Sequence, residues 1–547
     1  MGSSSNIVKS TLPRIEVPKK PLVDFVFETH ENFDQYILDR PWIVDVPSGK
    51  SVTFGQVRRD AQTIASWLKK EGFKKGDILF FVTTEMAHLY LIELAVWMLG
   101  GAVKGTSTLE SQEHYRFQIE EMQIKFALVD GETFEIVKEA AQSANQAKVN
   151  YFSIGDVHLE GTTHISEMLR DDGSAYSGNV DIDVDNDMLL ICNTSGSTGM
   201  PKGVVHTNQS VIANLIMMKE LKLKESIMEF VINYGVVNLC LSMYALRHGL
   251  TIYHLNKFKE SDYLPALMTY KPRTIMLYPY IASSFARNPE LEAVRKSGFL
   301  KHMMIGGWIL DITTAKLLSQ NLPQTHIQQV YGMSEVLFAF VTHIPDGDEM
   351  ASVPSVTVDG QTYTSSGSLL ANMEAKIVDV ETKKPQTTFK DGVLYMRTPG
   401  LMKGYYQSNN KPNRTSIDEE NWICSGDVGF FDDKGQIYVK ERANFMYKYW
   451  SYLISPSEIE NVLQEHPAVK AAGVVGLPNL ETNNVTKAYI VLKEDQHCSP
   501  EELSAFVAGK MPLHKQLHAG AKIVDKLPVN RGGKLDRKAL KEMALKI

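Results

Sequence analysis

The chain has 547 residues and a hydrophobic content of 44%, ample for a large core; at roughly 150 residues per domain it divides into three or four structural units. A formal charge of −7 with no basic stripe argues against a nucleic-acid footprint. Cys192, Cys240, Cys424 and Cys498 are widely spaced with no CxxC pair, which argues against a disulfide frame or zinc site and fits a reducing compartment.

Residues 1–20, polar and proline-bearing, read as a tail with no secretory signal. Between Val52 and Lys70, Val57, Ala61, Ile64, Ala65 and Leu68 recur at three- and four-residue spacing, which predicts an amphipathic helix. Asp77 to Val82 reads as a strand, His88 to Leu99 as a helix ended by Gly100-Gly101, and Phe126 to Val129 as another strand. Met188 to Ile191 suits a buried strand, Val204-Val205 favours the next, and Thr207 or Asn208 can cap a helix carrying Val211, Ile212, Leu215 and Ile216. Ile227 to Leu246 is the longest apolar stretch, but Glu229, Asn233 and Asn238 make it a core segment, not a membrane span. Arg273 to Leu277, His302 to Ile305 and Thr325 to Val330 read as strands. This alternation marks an α/β fold. From Glu374 to Gly435 short strands and turns suit a small barrel or sandwich. After Glu441-Arg442, helices at Ser457 to Gln464 and Pro500 to Lys510 flank a strand at Ala488 to Lys493, a compact α+β unit.

Cys192 to Val205 reads Cys-Asn-Thr-Ser-Gly-Ser-Thr-Gly-Met-Pro-Lys-Gly-Val-Val. Thr194, Ser195, Gly196, Ser197, Thr198 and Gly199 crowd hydroxyls and glycines together. Glycine lets backbone come close to a ligand, and turned-in N–H groups with hydroxyls make an anion nest. Lys202 adds one cation, so the inventory suits a polyphosphate. A Walker loop fails here. Gly203 follows Lys202 where a magnesium-binding Ser or Thr is wanted, Pro201 precedes it, and Val204-Val205 favours a strand where a P-loop opens a helix.

This loop, ending Pro-Lys-Gly, resembles that of the adenylate-forming superfamily of acyl- and aryl-CoA ligases, insect luciferases and peptide-synthetase adenylation domains. Its Ser-Gly-Ser-Thr-Gly wording is most similar to the 4-coumarate–CoA ligase and luciferase branch. Gln329-Val330-Tyr331-Gly332-Met333-Ser334-Glu335 resembles the family's Gly-Tyr-Gly-(Met/Leu)-Thr-Glu motif. The match implies that Tyr331 stacks on adenine beside Gln329 and Gly332, while Ser334 and Glu335 hold Mg²⁺ and the phosphates. Trp422 to Asp427 resembles Trp-x-x-(Ser/Thr)-Gly-Asp, which implies that Asp427 accepts the ribose hydroxyls. Arg442 matches the arginine that opens the C-terminal domain and reaches the ribose, with Val439 also on the nucleotide side. Arg531-Gly532-Gly533-Lys534-Leu535 resembles the terminal Gly-Lys motif, whose lysine touches the carboxylate and α-phosphate. Lys534, Glu335, Ser334 and Lys202 are thereby the implied catalytic set.

The resemblance implies a large N-terminal domain, residues 21–440, of two α/β layered subdomains plus a small β-barrel. A small mobile α+β C-terminal domain, residues 441–547, follows it. The implied reaction is ATP- and Mg²⁺-dependent adenylation of a small-molecule carboxylic acid with pyrophosphate release, followed by transfer to coenzyme A. The charge and the polar residues of the longest apolar stretch argue against a nucleic-acid partner and a membrane span, and a monomer or weak dimer is expected. The ending Ala-Leu-Lys-Ile lacks the peroxisomal Ser-Lys-Leu of many relatives, so the cytoplasm is expected.

The sequence departs from the branch at several places. Phe230 to Gly235 has no histidine where the branch carries one near the acyl pocket, leaving Tyr234 and Gly235 as walls. Gly306 and Gly307 fit a Gly-Gly-Ala-Pro turn, but Trp308 replaces its small residue, and Val330 replaces a usual glycine. Glu441 stands where a hinge aspartate is usual. Tyr449-Trp450-Ser451 replaces a Lys-Gly pair that helps shape the family's pantetheine tunnel, which implies that transfer to coenzyme A suffers more than adenylation. Two further readings stay open: a luciferase-type enzyme oxidising the adenylate with O₂, and a ligand-binding protein without turnover.

Overall fold

Ile78–Val82 is buried at all five positions, as a strand covered on both faces must be. In the computed structural model, which describes residues 6–144, 148–194, 202–229, 235–255, 260–345, 353–407, 412–450, 452–529 and 535–545, this strand lies inside an eight-stranded sheet. Its parallel members are Met188–Asn193, Ala102–Gly105, Ile78–Val82, Phe126–Val129, Asn150–Ser153 and Thr163–His164. Helix Phe54–Lys70 opens with a capping box between Thr53 and Gln56 and buries Val57, Ala61, Ile64 and Leu68, the stripe read from the sequence.

A nine-stranded sheet has a parallel centre of Pro41–Asp45, Thr251–His254, Ser226–Glu229, Thr274–Leu277, His302–Gly306 and His326–Met333. Leu337–Val341 returns antiparallel to His326–Met333. One apolar cluster joins the two sheets, running from Phe54 and Leu79 to Met276, Met304 and Phe340. The apolar stretch Ile227 to Leu246 divides into the end of strand Ser226–Glu229 and helix Val236–His248, buried over most of its length. No helix among the described residues is long and apolar enough to cross a membrane.

A third, antiparallel sheet holds Glu374–Val378, Gly392–Arg397, Ile423–Phe431 and Ile437–Arg442, the small β unit expected after Glu374. Its edge corrects one expectation. Ile7–Lys9, within the segment read as a tail, pairs antiparallel with Glu374–Val378, and Asn372 Oδ1 accepts from Ile15 N–H at 3.0 Å. Three residues are too few to show strand alternation in a sequence.

Beyond Arg442 the chain builds a separate α+β unit. Hairpin Tyr447–Tyr449 and Tyr452–Ile454 leads into helix Pro456–Gln464, a three-stranded sheet and helices Pro500–Ala508 and Arg537–Leu545. Ile459, Leu463, Val474, Ile490 and Leu503 form a core of its own.

Candidate nucleotide and acid site

The glycine- and hydroxyl-rich loop joins two antiparallel neighbours, Met188–Asn193 and Gly203–Thr207. Thr194 and Lys202 close its mouth: Thr194 N–H donates to the Lys202 carbonyl at 3.1 Å, and Lys202 N–H reaches Thr194 Oγ1 at 3.4 Å. Ser195, Gly196, Ser197, Thr198 and Gly199 lie outside the described residues, as do Tyr234 and Lys534. Lys202 is exposed, with its ammonium 5.2 Å from the centre of the Tyr405 ring, a cation–π distance. The Tyr405 hydroxyl donates to Glu335 Oε1 at 2.8 Å. So the loop's lysine and the second motif's glutamate meet across one tyrosine. No sequence pattern singles Tyr405 out, because it arrives on Gly404–Tyr405, a strand that pairs with Gly203–Thr207 from 200 residues away in order of magnitude.

Glu335 is buried, and burial pushes its carboxyl above the usual carboxylate range. Ser334 donates its hydroxyl to the Asn193 carbonyl at 3.1 Å, at the stem of the loop. His206 Nε2–H donates to the Ser334 carbonyl at 2.7 Å, and burial holds this imidazole down to about 4, so it is neutral near pH 7. Behind Asn193 lies Lys104, fully buried, which donates to Asn193 Oδ1 at 2.6 Å and to the Gly105 carbonyl at 3.0 Å. Burial lowers its ammonium to about 7. Neither Lys104 nor His206 belongs to a motif read from the sequence.

Tyr331 stacks on Phe340 with centroids 4.2 Å apart and planes within 3°. Its hydroxyl donates to Asp427, and Asp427 pairs with Arg442 Nε at 2.7 Å. Asp427 and Arg442 stand opposite one another on adjoining strands, which is why two motifs fifteen residues apart share one contact. Val439, on the same strand as Arg442, is buried and donates its N–H to Ser366 Oγ at 3.1 Å. Gln329 is 2% exposed, and its Oε1 has no hydrogen-bond partner among the described residues. A purine amine would satisfy such an atom.

At Gly332 an added Cβ would stand 1.9 Å from the Leu337 carbonyl oxygen, and at Gly306 it would stand 2.9 Å from that of Val330. Both glycines therefore mark close backbone approach. Gly307 is exposed at φ +86°, Trp308 beside it is partly exposed, and Val330 is buried in the main apolar cluster. Gly235 caps the N-terminus of Val236–His248. Glu441 is fully buried: Ser457 Oγ donates to Oε2 at 2.5 Å, and Arg537 Nη2 lies 3.0 Å away. This carboxylate thereby meets an arginine of the last helix, which sequence reading overlooked.

A family model described as AMP-binding enzyme matches residues 30–406, and one described as AMP-binding enzyme C-terminal domain matches residues 458–534. The protein 4-coumarate–CoA ligase-like 1 of Arabidopsis thaliana is 26% identical over 553 residues, spanning 99% of this chain and 97% of its own. Luciferin 4-monooxygenase of Nipponoluciola cruciata is 27% identical over 373 residues, spanning 67% of this chain and 65% of its own. The solved structure of ATP-bound MatB from Rhodopseudomonas palustris shares the fold, with a TM-score of 0.81 at 19% identity over 96% of this chain and 98% of that one.

Proposed function

The chain belongs to the AMP-binding enzymes as an adenylate-forming ligase, and we propose that it activates a small-molecule carboxylic acid with ATP and passes the acyl group to coenzyme A. One observation carries the reading: Lys202 of the loop and Glu335 of the second motif meet on Tyr405, with Ser334 tied to the loop's stem.

In this reading Tyr331 takes adenine on the face that Phe340 leaves open, and Gln329 Oε1 accepts the purine amine. Asp427 accepts the ribose hydroxyls, with Arg442 holding its carboxylate in place. Thr194, Lys202 and the loop between them cradle the phosphates. Ser334 and Glu335 supply oxygen ligands for Mg²⁺, which neutralises phosphate charge when bound. A carboxylate oxygen of the acid bonds to the α-phosphorus, and the bond from that phosphorus to the bridging oxygen breaks, releasing pyrophosphate. Two anions approach in that step, so the Lys534 ammonium stabilises the charge that grows there. Gly235, Gly306, Gly307, Trp308 and Val330, with Tyr234, wall the acid pocket. Residues 21–440 hold the nucleotide, and residues 441–547 act as a lid that turns about Glu441.

The likeness to a luciferin 4-monooxygenase supports one second reading, oxidation of the adenylate by O₂. Pyrophosphate release with ATP, Mg²⁺ and a panel of fatty and aryl acids tests the first step. Release with at least one acid, and a thioester mass on adding coenzyme A, is the expected result. No release with any acid sinks the reading; release with light from an insect luciferin and no thioester favours the second.

A further inference from the structure

Glu229 and His254 end neighbouring parallel strands and stand in register. Glu229 Oε2 accepts from Asn238 Nδ2 at 2.7 Å and lies 3.3 Å from His254 Nδ1. Tyr90, on helix Leu89–Met98, stacks on His254 with centroids 5.7 Å apart and planes 27° apart. These four residues are each no more than 1% exposed. Yet Glu229 Oε1, Asn238 Oδ1 and His254 Nε2 have no hydrogen-bond partner among the described residues, and the Tyr90 hydroxyl beside them faces that of Ser242. Buried polar atoms without partners are costly, and several gathered in one place call for an occupant that brings hydrogen bonds.

The same sheet face leads to the wall assigned to the acid. In-register residues of parallel strands point to one face. Glu229 pairs with Met276 and Met276 with Met304, while the Met276 methyl carbon lies 3.6 Å from where a Gly306 Cβ would stand, beside Val330. Glu229 thus lies two strand spacings across and two residues along from Gly306, roughly 12 Å away, a span suited to a medium-chain or substituted aryl acid. Burial pushes the Glu229 carboxyl well up and the His254 imidazole down to about 3, so burial works against charge on either group. An uncharged cage takes in a hydroxyl at far lower desolvation cost than an ammonium or a second carboxylate.

Resting on the adenylation reading, we propose that Glu229, His254, Asn238 and Tyr90 bind the far end of the acid, and that this end carries an uncharged hydrogen-bonding group such as a hydroxyl, phenol or carbonyl. A site built to hydrogen-bond a substrate group rejects the analogue lacking it, because its own buried atoms are then left unpaired.

The test uses the full chain and acids matched in length: a terminal hydroxyl against a terminal methyl on an aliphatic acid, and a para-hydroxyl against a para-methyl on an aryl acid. In pyrophosphate release, kcat/KM should favour the polar member by about 10²-fold or more. Glu229→Gln, nearly isosteric, and Tyr90→Phe should each shrink that ratio about tenfold, while thermal unfolding checks that both variants fold. Equal use of both members, with a ratio that neither variant changes, overturns the proposal and leaves a cage for buried water. Should no acid release pyrophosphate, calorimetric binding of the same pairs decides: a polar preference lost in Glu229→Gln upholds the cage while the adenylation reading falls, and equal or absent binding overturns the cage as well.

Discussion

Lys104 shows how much one buried charge can reveal about a site. Its ammonium is fully enclosed and holds Asn193, whose carbonyl in turn holds Ser334. An unfolded lysine titrates near 10.5, and burial lowers the folded group to about 7. Between those values the unfolded chain carries the extra proton. Stability contributed at this position therefore rises with pH across the window, by about 1.4 kcal/mol per pH unit, and is level on either side of it. Lys104→Met removes that slope, although the lost bond to Asn193 adds a constant offset. Urea unfolding of both proteins at several pH values between 7 and 10.5 should show the gap between them changing steadily. Parallel curves would rule out a titrating Lys104.

At the scale of elements, helix Pro456–Gln464 is docked through its first turn. Glu458 is buried and takes Lys440 at 2.7 Å, Lys515 at 2.5 Å and the Tyr363 hydroxyl at 2.7 Å. Burial alone would raise its carboxyl, but the two ammonium groups outweigh that and hold it at about 2, against an ordinary 4.5. The stability it contributes is present above pH 4.5 and drains away as pH falls toward 2. A shift of that size corresponds to about 3 kcal/mol. Glu458→Gln should lower the urea midpoint at neutral pH and flatten the acid limb of the stability curve. An acid limb identical to that of the parent chain would refute the ion network as the cause.

Elements that read clearly in the sequence share a physical trait. Ile78–Val82 and Phe126–Val129 are buried on both faces, so their apolar runs are continuous, and Phe54–Lys70 shows its stripe because only one face is buried. Tyr331, Ser334, Glu335, Asp427 and Arg442 were legible as motif residues because each motif is local. What stayed hidden depends on distant neighbours. Ile7–Lys9 becomes a strand only because Glu374–Val378 presents an edge, Tyr405 reaches Glu335 only through pairing with Gly203–Thr207, and Arg537 acquires a role only by meeting Glu441.

In the whole molecule, buried Glu458 ties the C-terminal unit to Lys440 and to the Tyr363 hydroxyl of the large domain, and the proposed turning of that unit has to release both contacts. The hairpin Tyr447–Tyr449 and Tyr452–Ile454 carries Tyr449-Trp450-Ser451, where the family resemblance led to the expectation of a Lys-Gly pair. Trp450 sits at its turn with φ +54°, a left-handed conformation that costs a non-glycine residue about 1–2 kcal/mol. Two bonds hold it there, from its N–H to the Thr482 carbonyl at 2.7 Å and from Asn483 Nδ2 to its own carbonyl at 3.0 Å. Its indole is 60% exposed, so little packing offsets the strain. In the proposed transfer to coenzyme A, an indole at this turn narrows the way for a pantetheine arm, whereas the proposed adenylation does not use the turn. Trp450→Gly should therefore leave pyrophosphate release unchanged and raise thioester formation about tenfold, equivalent to about 1.4 kcal/mol of barrier. Both rates can be followed in one reaction by pyrophosphate detection and thioester mass. If pyrophosphate release holds steady while thioester formation stays flat or drops, the bulk of Trp450 is not what limits transfer.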